Sequence, residues 1–367
     1  MVLFICSTPF QIMNAVNIAL TILNDEIIDL YVLDHSPECY RYYLILKESK
    51  VFKQVYFLKT RETYSLKKKN KVSNLLSYRK KAFNALNYKR LENNIPNKES
   101  CYESIFVAYP DLPTQIIYYY FKKQNFEVKF NLFEDGIYTY NALNKKDSWL
   151  RVRFSRMVFG SYVLEDCKSV YAYKPNFVNI KNKGIERLKI PEMKKSKDHG
   201  FEIINKLMGF DESHIEYLSN KCIFFDQPFG FDEIMKQQSK LLKIICEIMG
   251  PENVGVKIHP RTQENLYQDT CNVINIKIPF EILELNFDIN NIILISVLST
   301  ACLNPKIVFN EEPYVILLYK LIELQGTDNA FLDIVLKVKN SYNNKNRFFI
   351  PETVEELMII LTRLKGI

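Results

Sequence analysis

Residues 2–22 read VLFICSTPFQIMNAVNIALTI. Val2–Ile5 is an apolar run of strand length, and the chain then turns at Cys6-Ser7-Thr8. Thr8 suits the cap of a helix and Pro9 its first position, where a missing N–H leaves no bond unmade. The helix is expected to run through Ile22. A buried strand feeding straight into a helix is the repeating unit of a parallel α/β sheet. The alternative, a leader or spanning segment, is disfavoured. Pro9, Gln11, Asn14 and Asn17 interrupt the apolar run, and no basic segment precedes it.

The same alternation continues outward from this stretch. Ile27–Leu33, Val55–Leu58, Ser104–Ala108 and Val128–Phe133 read as strands. Helices are expected near Tyr40–Lys47 and Pro113–Lys123. Between about Tyr173 and Ser219 the apolar periodicity fades, which suggests a linker with one helix, Phe201–Met208. Strands then resume at Cys222–Phe225, Val254–Ile258, Val273–Lys277 and Ile292–Ile295, with a short one at Val308. A helix at Glu233–Met249 and a last one at Pro351–Leu364 complete the pattern. The expected organisation is an N-terminal Rossmann-like domain at 1–172, a linker region at 173–219, a C-terminal Rossmann-like domain at 220–350 and a terminal helix at 351–367. Two α/β halves of this kind are expected to face a cleft.

Composition excludes several functions. The chain has 367 residues, of which only 10 are glycine, and no two glycines lie closer than Gly250 and Gly255. A GxGxxG dinucleotide fingerprint is therefore absent, and the segment from Gly250 to Lys257 lacks the spacing and the Ser/Thr of a P-loop. The net charge of +7 favours anionic ligands but is too small to imply nucleic acid. Eight cysteines without a CxxC pair read as free thiols of a reducing compartment. Four scattered histidines argue against a zinc site, and no metal is expected.

Ligands of open parallel sheets bind at the carboxyl ends of strands. The polar residues expected there are Ser7, Thr8 and Gln11 after the first strand and Tyr109, Pro110 and Asp111 after the fourth. Glu134, Asp135 and Gly136 follow the fifth. In the second half they are Asp226, Gln227 and Pro228, then Lys257, His259, Pro260 and Arg261, then Pro279 and Glu281, and last Ser296, Ser299 and Thr300. Glu134-Asp135 on a glycine turn reads either as an acidic turn or as a general base at a ligand site. Lys257, His259 and Arg261 would suit a phosphate, while a strand-end histidine bonded to backbone is the plainer reading. Ser299 and Thr300 could cap a helix or offer hydroxyls to an anion. Glu281 is either a first-turn helix acid or an acceptor for ribose hydroxyls.

In their order along the chain, these motifs resemble the bacterial sialyltransferases of glycosyltransferase family 52 and the related capsule polysialyltransferases. The elements that carry the resemblance are Cys6-Ser7-Thr8-Pro9-Phe10-Gln11, Glu134-Asp135-Gly136, His259-Pro260 and Ser299-Thr300, with Gln227-Pro228 and Pro279-Phe280-Glu281 beside them. The resemblance implies a GT-B architecture, CMP-linked sialic acid as donor and inverting transfer without a metal or other cofactor. It implies Asp135 as the base that deprotonates the acceptor, with Glu134 as the alternative. His259 would act at the CMP phosphate, Ser299 and Thr300 would hold that phosphate, and Glu281 would hold the ribose. Lys257, Pro260, Gln227, Ser7, Thr8 and Gln11 are the further donor-binding candidates. The implied acceptor is a galactose-terminated glycan or glycolipid of a bacterial capsule or lipooligosaccharide, and the expected location is the cytoplasm. Another nucleotide sugar as donor, or a non-catalytic binding protein, stays open, and so does a homodimer.

A basic segment lies within residues 61–100. Lys67, Lys68, Lys69, Lys71, Arg79, Lys80 and Lys81 are interleaved with Val72, Leu75, Leu76, Phe83 and Leu86 at helical spacing. This is either a solvated helix face or a helix that rests on an anionic membrane at its inner face.

Overall fold

A computed structural model describes residues 1–366 except 37, 61–87, 145–148, 181–183, 194–198, 230–231, 260–261, 263–266, 268–269, 275–277 and 323–328. The basic segment, Pro260 and Arg261 therefore lie outside the described residues. The chain divides into two compact units. One comprises Met1–Pro191 and Asp198–Leu207, and the other comprises Glu192–Lys197 and Met208–Ile367.

The first unit begins as the sequence predicts. Strand β1 (Val2–Cys6) is wholly buried and leads into helix α1 (Pro9–Thr21). Thr8 caps that helix by accepting from the Gln11 N–H at 3.3 Å. Then come β2 (Ile28–Leu33), α2 (Glu38–Ser49), β3 (Gln54–Leu58), α3 (Tyr88–Asn93), β4 (Ser104–Val107) and α4 (Leu112–Gln124). They are followed by β5 (Lys129–Phe133), α5 (Ile137–Asn141), α6 (Trp149–Phe159), β6 (Cys167–Ala172), β7 (Glu186–Lys189) and α7 (His199–Met208). The seven strands pair in the order β3-β2-β1-β4-β5-β6-β7, and all pairings are parallel. Phe4 of β1 stacks on Phe106 of β4 at 4.7 Å and meets Phe133 of β5 edge-on at 5.4 Å. These rings knit the central strands from one face.

The second unit repeats the plan. It holds β8 (Cys222–Phe225), α8 (Asp232–Met249), β9 (Val254–Lys257), β10 (Asn272–Ile274), α9 (Phe280–Asn286) and β11 (Ile293–Ser296). β12 (Tyr314–Leu317), α10 (Asn329–Ser341), β13 (Phe348–Phe349) and α11 (Val354–Leu364) complete it. Its strands pair, again all parallel, in the order β10-β9-β8-β11-β12-β13. In each sheet the order reverses beside the unit's own first strand, at β1/β4 and at β8/β11. That reversal is where doubly wound sheets open a crevice for a ligand.

Three sequence expectations need correction. Residues 173–219 are not simply a linker, because β7 extends the first sheet from within them. Its sequence, Glu186-Arg187-Leu188-Lys189, is that of an exposed edge strand and lacks an apolar run. Val308 is not a strand. It lies in a buried π-helical turn, Pro305–Phe309, and the next strand is β12. The terminal helix is part of the second unit's core: Leu357, Ile360, Leu361 and Leu364 pack in one cluster with Leu241, Ile245 and Met249 of α8.

Candidate active site

In the first unit the polar residues gather where β1 and β5 end. Phe130–Phe133 is buried, so β5 delivers Glu134 and Asp135 directly from the core to the sheet's edge. Gly136 makes the turn with φ +65° and ψ −145°, a conformation open in practice only to glycine. The two carboxylates part there. Glu134 is fully buried. Its Oε2 accepts from the Tyr140 hydroxyl at 2.7 Å and from the Tyr173 N–H at 3.3 Å. Its backbone carbonyl accepts from Asn14 Nδ2 at 3.0 Å, and Asn14 in turn accepts from the Tyr173 hydroxyl at 2.9 Å. Burial pushes the Glu134 carboxyl up to about 8, although the bonds from Tyr140 and Tyr173 pull the other way. It is therefore mostly a neutral acid at pH 7.

Asp135 is half-buried. Its N–H donates to Thr139 Oγ1 at 2.7 Å, which fixes the turn. Burial raises its carboxyl to about 6, and a hydrogen bond from Gln11 holds it lower than burial alone would. Gln11 is itself set by Ser7: both the Ser7 N–H, at 2.8 Å, and the Ser7 hydroxyl, at 3.0 Å, donate to Gln11 Oε1. That leaves the amide nitrogen of Gln11 for Asp135. Ser7, Thr8 and Gln11 thus stand with the carboxylate pair, and not in the unit that holds the other donor-binding candidates. Two environments split adjacent carboxyls into an acid and a base at neutral pH, the arrangement that proton-transfer chemistry needs.

Sequence reasoning missed the partners of Glu134. Asn14, Tyr140 and Tyr173 come from α1, α5 and the end of β6, and nothing in their local sequence marks them. It also missed His35, which follows β2 and meets Asp111, a residue expected at the end of β4. His35 Nε2 and Asp111 Oδ2 are 3.3 Å apart, and Asp111 caps α4 through the Thr114 N–H at 3.0 Å.

In the second unit, Asp226 at the end of β8 is the hub. It is buried. Oδ1 accepts from Tyr267 at 2.6 Å and Gln238 at 2.9 Å, and Oδ2 accepts from Thr262 Oγ1 at 2.5 Å and the His259 N–H at 3.2 Å. Asp226 therefore holds the loop that presents His259 after β9. Lys257, the last residue of β9, donates to the Ile278 carbonyl at 3.1 Å. Burial lowers its ammonium, and the nearby Glu281 charge opposes that. Glu281 opens α9 and accepts from Asn304 Nδ2 at 2.6 Å.

Gln227 bridges the switch point of this sheet. Its amide nitrogen donates to the Leu298 carbonyl at 2.9 Å, and its amide oxygen accepts from the Leu298 N–H at 2.6 Å. Beyond Leu298, the Ser299 N–H donates to Ser296 Oγ at 2.9 Å, and Ser299 Oγ caps a short 3-10 turn through the Ala301 N–H at 3.3 Å. Thr300 is half-buried beside it. The capping reading of Ser299 therefore holds. The structure brings Gln227, Lys257, His259, Glu281, Ser299 and Thr300 to the strand ends of one unit. Among the described residues, no group of three His, Cys, Asp or Glu side chains could hold a metal ion, and no helix is long and apolar enough to cross a membrane.

A family model described as alpha-2,8-polysialyltransferase matches residues 2–317. The chain belongs to the alpha-2,8-polysialyltransferase family. The match covers the first sheet, the second sheet through β12 and every motif discussed above, so the chain is a sialyltransferase-type glycosyltransferase by family. A search of curated proteins gave no match. Among solved structures the chain is similar to UGT89C1 of Arabidopsis thaliana with UDP-L-rhamnose, at 11% identity and TM-score 0.55 over 99% of this chain and 89% of that one. It is also similar to the UDP-GlcNAc 2-epimerase of Methanocaldococcus jannaschii, at 12% identity and TM-score 0.55 over 100% and 93%. LpCGTa in complex with UDP aligns at 9% identity and TM-score 0.54 over 100% and 90%. At such identities the likeness concerns the fold, which is the two-Rossmann GT-B fold. An epimerase among these neighbours shows that the fold by itself does not select the reaction.

Proposed function

We propose that this member of the polysialyltransferase family transfers sialic acid from CMP-sialic acid to a hydroxyl of a terminal sugar on a bacterial surface glycan, with inversion. The observation that carries the reading is the pair at the end of β5. Asp135 is half-buried, raised to about 6 and hydrogen-bonded by Gln11. Its neighbour Glu134 is fully buried and raised to about 8. A carboxylate near 6 is ionised at neutral pH yet basic enough to take a proton as the acceptor oxygen attacks. Glu134 has no exposed surface, so Asp135 is the base and Glu134 positions it.

The acceptor O–H gives its proton to Asp135 as its oxygen bonds to the anomeric carbon of the sialic acid. The bond to the CMP phosphate breaks in the same step, and negative charge grows on the departing phosphate. Preorganised donors lower the cost of that charge. In the second unit these are His259, Ser299 and Thr300, with Lys257 adding positive potential and Glu281 accepting from the ribose. Gln227 and Asp226 act through the loops they hold. We propose that transfer needs no metal. The acceptor sugar is galactose, as the sequence resemblance implies, or sialic acid, as the family description implies.

The test is a thermal-shift panel of CMP, UDP and GDP, followed by transfer from CMP-sialic acid to galactose-terminated and sialic acid-terminated oligosaccharides. Saturating CMP at about a hundredfold above its dissociation constant should stabilise the protein by about 2.7 kcal/mol. Stabilisation by UDP alone would replace the donor. Binding of CMP without transfer to either acceptor would overturn the acceptor reading.

A further inference from the structure

Helix α6 carries an outward face that the fold leaves open. Its sequence, Trp149-Leu-Arg-Val-Arg-Phe-Ser-Arg-Met-Val-Phe159, has three arginines and no acid. At about 100° per residue, Trp149, Leu150, Arg153, Arg156 and Met157 fall within one arc of about 120°. Trp149 is 66% exposed, Leu150 53% and Met157 75%. The opposite side is anchored. Ser155 is buried and donates to the Ser161 carbonyl at 3.0 Å, and Phe159 stacks on Tyr119 of α4 at 4.6 Å. Gly160, at φ +84°, ends the helix. Arg153 lies over the Trp149 ring at 6.0 Å. Arg156 meets Glu165 at 2.6 Å, the one acid paired to this face among the described residues.

We propose that this face of α6 docks on an anionic lipid surface. Trp149, Leu150 and Met157 enter the boundary between headgroups and acyl chains, while Arg153 meets lipid phosphates. The face combines the two features an interfacial helix needs: apolar side chains with an aromatic ring, and cationic groups among them. A soluble polyanion would satisfy the arginines but leave three large apolar side chains in water. A second copy of the same face would bring arginines against arginines, with Glu165, already held by Arg156, as the one acid paired to the face among the described residues. A bilayer satisfies both features, and the guanidinium over the indole keeps its charge at headgroup depth. The proposal does not rest on the transfer reaction and concerns a helix separate from the basic segment at 61–100.

The experiment uses the fact that Trp149 is the only tryptophan of the chain. Emission of the full-length protein is followed as vesicles of phosphatidylglycerol, or of phosphatidylcholine, are added. Phosphatidylglycerol should shift the emission to shorter wavelength, and phosphatidylcholine should shift it far less. Arg153→Glu changes the face by two charges and should weaken partitioning about thirtyfold. A Leu150→Ser, Met157→Ser double variant should reduce co-sedimentation as well. These side chains are solvent-exposed, and circular dichroism confirms that each variant keeps its fold. Three results overturn the proposal: no binding to phosphatidylglycerol, binding with Trp149 emission unchanged (which places the contact elsewhere, as on residues 61–87), or the same shift on protein concentration alone.

Discussion

Gln227 and Leu298 exchange two hydrogen bonds across 71 residues of sequence, the side-chain amide of one meeting both backbone polar groups of the other. The pair spans β8 and β11, where the strand order of the second sheet reverses. A crevice of this kind is otherwise open between its two loops. The amide acts as an extra rung that ties the loop carrying Ser299 and Thr300 to the rest of the sheet.

Replacing Gln227 with Leu removes both bonds and leaves the Leu298 N–H and C=O half-buried without them. The expected loss is about 1–3 kcal/mol, read as a lower urea midpoint with an unchanged slope. Gln227→Glu keeps the bond from the Leu298 N–H but sets a carboxylate oxygen against the Leu298 carbonyl, so it should not rescue at neutral pH. CMP affinity should fall in both variants. A midpoint equal to that of the native protein would show that the loop holds without this rung.

Asp135→Asn should lower turnover by about 10² to 10⁴, the usual worth of a general base, with CMP binding nearly unchanged. In the native enzyme kcat/KM should fall below about pH 6, where Asp135 becomes protonated, and level off above it. Gln11 hydrogen-bonds the charged form and so favours it. Gln11→Ala should therefore move the acid limb to higher pH. A limb that stays in place removes Gln11 from the control of this base.

Much of this site was legible before the fold was known. Thr8 and Pro9 announce a helix start, and an apolar run ending in Glu134-Asp135-Gly136 announces a strand that stops in a turn. Such signals are local: one side chain, one cap, one period. What escaped reading is held by distant partners. Tyr173 approaches Glu134 only because β6 lies beside β5, and Leu298 meets Gln227 only because β11 lies beside β8. β7 escaped for the opposite reason, since an edge strand with charged side chains lacks the apolar run that marks its neighbours. Val308 was misread because Ile307, Val308 and Phe309 of the buried π-turn are as apolar as a short strand.

Glu134 links the site to stability. Its folded carboxyl stands at about 8, above its ordinary value of 4.5, so the folded state binds the proton more tightly than the unfolded chain. Stability from this group is fully present below about pH 4.5 and is lost as pH rises through about 8. Glu134→Gln presents a neutral group of the same shape. The difference in melting temperature between the variant and the native protein should grow in the variant's favour from pH 5 to pH 9. A constant difference would mean that Glu134 is ionised in the folded protein throughout that range.

Asp226→Asn tests whether His259 depends on its loop. The carboxylate accepts four hydrogen bonds, and an amide nitrogen in place of either oxygen faces two donors. If the nitrogen takes the outer position, it confronts the His259 N–H and the Thr262 hydroxyl, and the loop loses its anchor. If it takes the inner position, it meets Tyr267 and Gln238, which can rotate or turn over to accept. The outer bonds should then survive, and activity with them. Hydrogen exchange at the His259 amide separates the two cases. Faster exchange with weaker CMP binding and lower turnover is the outcome expected of a positioning role, and His259→Ala should reproduce the kinetic loss without the same fall in stability. Native activity in chelator should stay unchanged under the metal-free proposal, and loss that added magnesium restores would refute it. Unchanged CMP binding in an Asp226→Asn protein whose His259 amide exchanges rapidly would separate His259 from the phosphate.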